Sequence, residues 1–192
     1  MANDTFFPDN YQLPDASNGY MKFQPGDNKF RIMSRPIIGW VYWIDKDGNV
    51  RGKNDSYEAG GKPVRIRMNQ PVPVAAGETV KHFWSMIVWN YKAEQFQILE
   101  ITQKGIQKSI KSLSADEDWG SPLNYDLVVT KTGEKLETEY EVKPKPSKPL
   151  EDGIQALYKD IHINLEALFD GKDPFQQTDT ESVDLDDIPD SV

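Results

Sequence analysis

VKHFWSMIVWNY (80–91), followed after Lys92-Ala93 by EQFQILEIT (94–102), decides how this chain is read. Both runs are rich in β-branched and aromatic residues and are joined by a short turn, which predicts an antiparallel hairpin. On 80–91 the even positions, from Val80 and His82 through Trp84, Met86 and Val88, read as the core-facing set. The odd positions Lys81, Phe83, Trp89 and Tyr91 put cations and flat rings on the opposite face.

Working back from the hairpin, KFRIM (29–33) alternates and IIGWVYWI (37–44) reads as a buried or half-buried strand. DKDG (45–48) signals a turn, with Val50–Gly52 expected to begin the return strand and 51–62 to form a mobile loop. Val64, Ile66 and Met68 alternate with Arg65 and Arg67, a strand with one basic face, and the prolines of 68–78 predict loop.

Forward of the hairpin, Ile106, Ile110 and Leu113 fall at helical spacing over 103–114, with Thr102 as the expected N-cap. NYDLVVTK (124–131) and ETEYEVKP (137–144) predict a second hairpin around Thr132-Gly133. KPKPSKP (143–149) reads as a semi-rigid linker, and a last helix is predicted from Asp152 to Asp170, stopped by Gly171.

A hairpin, a helix and a second hairpin match the order of an OB-fold, a small five-stranded barrel with a helix commonly between its third and fourth strands. The expected fold is therefore mainly β: an OB-like barrel with one inserted helix, then a C-terminal helix and a disordered acidic tail. An open sandwich with a helix is the alternative. The expected layout is an arm over 1–19, a core over 20–146, linker and helix over 147–171, and the tail over 172–192.

Composition narrows the function classes. The chain has 192 residues, no Cys and only two His, and no apolar run approaches the roughly 18 residues of a membrane span. Disulfides, thiol nucleophiles and Cys-ligated zinc are excluded, and no basic, apolar leader opens the sequence. A soluble, cytoplasmic, non-enzymatic protein without cofactor or metal is the expectation. His82 and His162 read as ordinary structural and surface residues, and Asp116-Glu117-Asp118 as a solvated loop. Neither a GxxxxGK[ST] nor a GxGxxG motif occurs.

The net charge of −9 is unevenly placed: residues 20–150 carry a net +4 and residues 151–192 a net −10. A basic body and an acidic arm attract each other. All five Trp lie between 40 and 119. Rings and cations together suit a stacked, phosphate-bearing strand, each stacked base contributing about 1–3 kcal/mol. The plainer reading makes the Trp core and leaves the cations in water.

FRIMSRPIIGWVYW (30–43), HFWSMIVWNYKAEQFQILEIT (82–102) and GSPLNYDLVVTKTGEKLETEYEVKPKP (120–146) resemble the single-stranded DNA-binding proteins of tailed bacteriophages. In the last piece the pattern is carried by Gly120, Pro122, Tyr125, Asp126, Lys131, Gly133, Thr138, Tyr140 and Val142. The resemblance implies an OB core that coats single-stranded DNA without sequence preference in replication, recombination and repair. It also implies an acidic tail that recruits replication and recombination proteins and competes with DNA. DLDDIPDSV (184–192) is similar to bacterial tails of that kind through Asp184, Asp186, Asp187, Ile188 and Pro189, but ends on Asp190-Ser191-Val192 where those end on Pro-Phe. The zinc insertion of some phage relatives is not carried over, since Cys is absent.

The expected stacking residues are Trp40, Tyr42, Trp43, Phe83, Trp89 and Tyr91. A strand cannot show Trp40/Tyr42 and Trp43 to one side, so their facing is left open. The expected phosphate contacts are Arg31, Arg35, Lys53, Arg65, Arg67, Lys81 and Lys92, with loop 51–62 closing over the strand. The rivals are a protein-interaction module or assembly protein using the aromatic face and, third, a magnesium-dependent nuclease. Oligomeric state, including a homo-oligomer, is left open.

Overall fold

A computed structural model describes residues 19–52 and 61–176. Its strands are β1 (Tyr20–Met21), β2 (Gly26–Ile32), β3 (Ile37–Ile44), β4 (Lys62–Arg67), β5 (Lys81–Asn90), β6 (Gln95–Ile101), β7 (Asp126–Thr132) and β8 (Glu139–Pro144). Two helices are α1 (Lys104–Ala115) and α2 (Asp152–Asp160). The strands form one mixed eight-stranded sheet, ordered β1-β6-β5-β2-β7-β8, with β3 pairing β5 and β4 pairing β3.

β5 is the hub. One edge pairs antiparallel with β6, Trp84 opposite Ile101 through Asn90 opposite Gln95. The other edge is shared: its first half pairs with β3 and its last residues with β2. The change of partner falls at Met33–Pro36, where Met33 N donates to Ile87 O at 2.9 Å and Ile87 N to Ser34 Oγ at 2.9 Å. Pro36 lacks an N–H, so the strand is interrupted there and the sheet curls. The result is a β-rich, barrel-like body.

Alternation assigns the two sides of β5. Met86 and Val88 join Phe30, Ile32, Leu99, Ile101, Leu127 and Val129 in the main core. α1 closes that side by inserting Ile106 and Ile110, as its spacing predicts. Gln103, not Thr102, occupies the cap, and it makes no side-chain cap bond.

The opposite side is covered too. Phe83, Ser85, Ile87 and Trp89 are all buried, beneath the segment that begins with α2. Tyr158 meets Phe96 with ring centroids 5.3 Å apart, and Phe169 meets Phe83 at 6.0 Å. Phe175 sets its edge on Tyr20 at 5.6 Å. The helix expected over Asp152–Asp170 instead stops at Asp160, where Ile161 turns extended. The Asn164 side chain accepts from Glu166 N and starts a separate 3-10 turn, Leu165–Leu168. β-branched Ile161 and Ile163 and the capping Asn164 break the apolar stripe into two pieces.

The chain returns to β3 through β4, Gly39 to Ile44 pairing with Arg67 to Lys62. Val50 makes only an isolated bridge to Ile44, where a return strand was expected. Gly39 is required by this crossing: a Cβ there would collide with the Ile66 carbonyl oxygen and crowd the Phe83 ring.

Candidate nucleic-acid interface

The rings and cations divide between the two sides of the β3–β5 layer. Trp40 lies opposite both His82 and Ile66, and Ile38 lies opposite Trp84, so these side chains share the α1 side. The rings form a row: Trp40 to His82, 5.4 Å between centroids, then His82 to Trp84, 6.5 Å. All three are half-buried, which leaves ring surface open beside the covered core. Tyr42 continues the same side, opposite Val64.

The row runs into a groove between β3, β5 and α1 with a volume of about 670 Å³. Its floor is Ile32, Met86 and Ile110, and its rim includes Ile38, Arg35 and Lys111. Among the described residues, no acid lines it. Arg35 and Lys111 are exposed, and neither makes an ion pair among the described residues. Lys104 and Lys111 lie three residues before and four after Gln107, so all three share one side of α1.

Gln107 fixes the row to the helix. Its amide NH2 donates to Ile101 O at 2.8 Å and His82 O at 3.2 Å. Its oxygen therefore meets His82 Nδ1, 3.2 Å away, and Nδ1 holds the proton in the neutral ring. His82 Nε2 is left as an acceptor.

The other side holds most of the ring set expected from sequence, in a different condition. Phe83 is wholly buried against Phe169, and Trp89 is 7 % exposed with its edge on Phe96. Tyr91 lies under the Lys29 ammonium, 4.0 Å from its centroid, and donates to Asp126 Oδ1 at 2.9 Å. Burial, then that hydrogen bond, push the Tyr91 phenol up to about 12. Trp43 is half-buried and faces away from Trp40 and Tyr42, with Lys81 Nζ 5.8 Å from its ring. Phe83 and Trp89 are thus interior rings, where sequence alone placed them on an exposed face.

Three expected phosphate contacts are already neutralised. Arg31 is 3 % exposed and bonds Asp126 at 2.7 Å, Arg65 bonds Glu100 at 2.5 Å, and Arg67 bonds Glu166 at 2.8 Å. Arg67 also caps the Phe169 ring at 4.5 Å. Arg35, Lys81 and Lys92 remain exposed. Lys53 and the tail residues Asp184, Asp186, Asp187, Ile188 and Pro189 lie outside the described residues, as does most of the 51–62 loop.

Sequence reasoning passed over Trp84, His82 and Lys111. Trp84 and His82 stand on the face assigned to the core, and that face is core only as far as α1 covers it. A signal was present: Ile38 and Trp40 have the parity to face the same side, and α1 carries a lysine stripe. Among the described residues no group of His, Asp or Glu is placed to hold a metal ion, and no helix is long and apolar enough to cross a membrane. No family model, no curated protein and no solved structure matches the chain.

Proposed function

We propose that the protein binds single-stranded DNA without sequence preference, coating it during replication, recombination and repair. The carrying observation is the Trp40–His82–Trp84 row running into a groove with cations on its rim and, among the described residues, no acid in its lining. Flat rings accept any base, and Arg35, Lys104 and Lys111 neutralise phosphates. The protein contributes no bond-breaking step; it holds the strand out of reach of duplex formation and nucleases.

The strand connectivity supports reading the body as an OB-type barrel. β5 and β6 form the hairpin before α1, β7 and β8 the hairpin after it, and β2 joins β5 to β7. On that reading the outer face of β5–β6, a customary OB ligand surface, is occupied by this chain's own residues 152–175. Binding is therefore assigned to the α1 side. The acidic tail recruits replication partners and competes with DNA for Arg35 and the α1 lysines.

A labelled mixed-sequence strand and the same sequence as duplex, compared by electrophoretic shift across salt concentrations, test this. Binding that favours the single strand and weakens with salt supports it. Equal retardation of both, or of neither, overturns it. In the rival reading the aromatic row is a protein interface, and DNA leaves it untouched.

A further inference from the structure

We infer that the groove beside Trp84 is a pocket for one nucleotide, which takes a single base out of the bound strand and anchors the strand there. The inference rests on the single-strand reading above and adds a discrete site to it. Sequence-tolerant stacking needs only an open ring face. This groove is more than that.

Its volume of about 670 Å³ lies within the ~300–1,000 Å³ of sites that enclose small ligands. The floor is apolar and part of the packed core, with Ile32 and Ile110 each 5 % and Met86 1 % exposed. Trp84 forms one wall, and Pro122 and Leu123, from the turn before β7, also line it. A base inserted there stacks on an indole and covers surface that water now meets. Leu123 and Ile38, 38 % and 41 % exposed, are the large apolar side chains such a base would shield.

The polar groups of the lining suit a base edge and a phosphate together. His82 Nε2 is an acceptor in the neutral ring, because Gln107 holds the proton on Nδ1. Ser34 Oγ already accepts from Ile87 N, so its own proton is left to donate. One acceptor and one donor match the hydrogen-bond donors and acceptors that every base edge presents, without selecting one base strongly. Arg35 and Lys111 carry the charge for the attached phosphate, and among the described residues no acid in the lining opposes it.

Abasic scanning tests the pocket. The shortest oligonucleotide that still binds the full chain is prepared with one abasic position, moved along it in turn, and affinities are compared. A pocket predicts one position whose loss is roughly tenfold greater than the others. Ser114→Phe, at an exposed position of α1 whose side chain lines the groove, should fill it and flatten that profile while the circular dichroism spectrum is kept. Even losses along the strand, with the unmodified oligonucleotide bound, overturn the pocket and leave single-strand binding standing. A pronounced position that survives Ser114→Phe places the anchor elsewhere and also overturns it. No binding of the unmodified oligonucleotide removes both.

Discussion

Arg31 Nε donates to Asp126 Oδ1 at 2.7 Å between side chains that are 3 % and 1 % exposed. β2 and β7 put the two residues directly opposite each other, so pairing register and ion pair specify the same alignment. Lys29 Nζ lies 3.1 Å from the other carboxylate oxygen, and Tyr91 donates to Oδ1. An arginine expected to meet phosphate is instead a structural cation. Removing one partner of a buried pair strands the other charge at a cost of about 3–5 kcal/mol. Arg31→Leu should therefore destabilise the fold by that amount in urea titrations, and Arg31→Leu/Asp126→Leu should recover much of it. An Arg31→Leu loss below about 1 kcal/mol would contradict the assignment.

The same cluster sets a pH dependence. Burial raises the Asp126 carboxyl, but hydrogen bonds from Tyr91, Arg31 and Lys29 outweigh it and hold the carboxyl below its ordinary value. Its contribution to stability is present above the unfolded carboxyl's range, near 4, and is lost as pH falls through the lowered folded value. Tyr91 acts at the alkaline end. Its contribution is present below the unfolded phenol value near 10 and lost as pH rises through about 12. In an absorbance titration of the eight tyrosines, one should ionise near 12 in the wild type and earlier in Asp126→Asn.

Charge changes separate the two sides of the β3–β5 layer. Arg35→Gln and Lys111→Gln should each weaken single-strand binding at low salt. Each should also reduce the slope of log affinity against log salt by roughly 0.7. Arg65→Gln, whose guanidinium is taken by Glu100, should leave the slope unchanged. A larger effect at Arg65 than at Arg35 and Lys111 would put the strand on the covered face.

The position of the tail cut matters. The sequence places the acidic tail over 172–192, but Asn164 N donates to Pro174 O at 2.8 Å and Phe175 packs on Tyr20. Removing 177–192 keeps those contacts. That deletion should leave stability unchanged and tighten DNA binding at low salt, with the gain shrinking as salt rises and screens the tail from the body. Unchanged affinity at low salt would refute competition by the tail. Cutting at 151 should instead cost at least about 3 kcal/mol, because it uncovers Phe83 and Phe96.

The strands were legible because periodicity, turn residues and β-branched content agree, and IIGWVYWI forms β3 over the very residues Ile37–Ile44. α1 was legible from Ile106 and Ile110, which do enter the core. The break in the last helix was harder to read: an apolar stripe continues through it, and only Ile161, Ile163 and Asn164 oppose helix locally. The site was half legible. Ring and cation types are visible in one dimension, but alternation separates two faces without saying what covers each. Phe83 was misplaced because Phe169, 86 positions later, packs on it. Arg31, Arg65 and Arg67 read as free for the same reason: Asp126, Glu100 and Glu166 are remote in sequence.

The central claim is that a single strand stacks on Trp40 and Trp84. Intrinsic tryptophan fluorescence, titrated with a mixed-sequence single strand at several salt concentrations, tests it most directly. A Trp40→Phe/Trp84→Phe variant keeps Trp43, Trp89 and Trp119 as bystanders. The account predicts saturable quenching in the wild type that weakens with salt, and almost none in the variant. Equal quenching in the variant, or no response from the wild type with 177–192 removed, would contradict it.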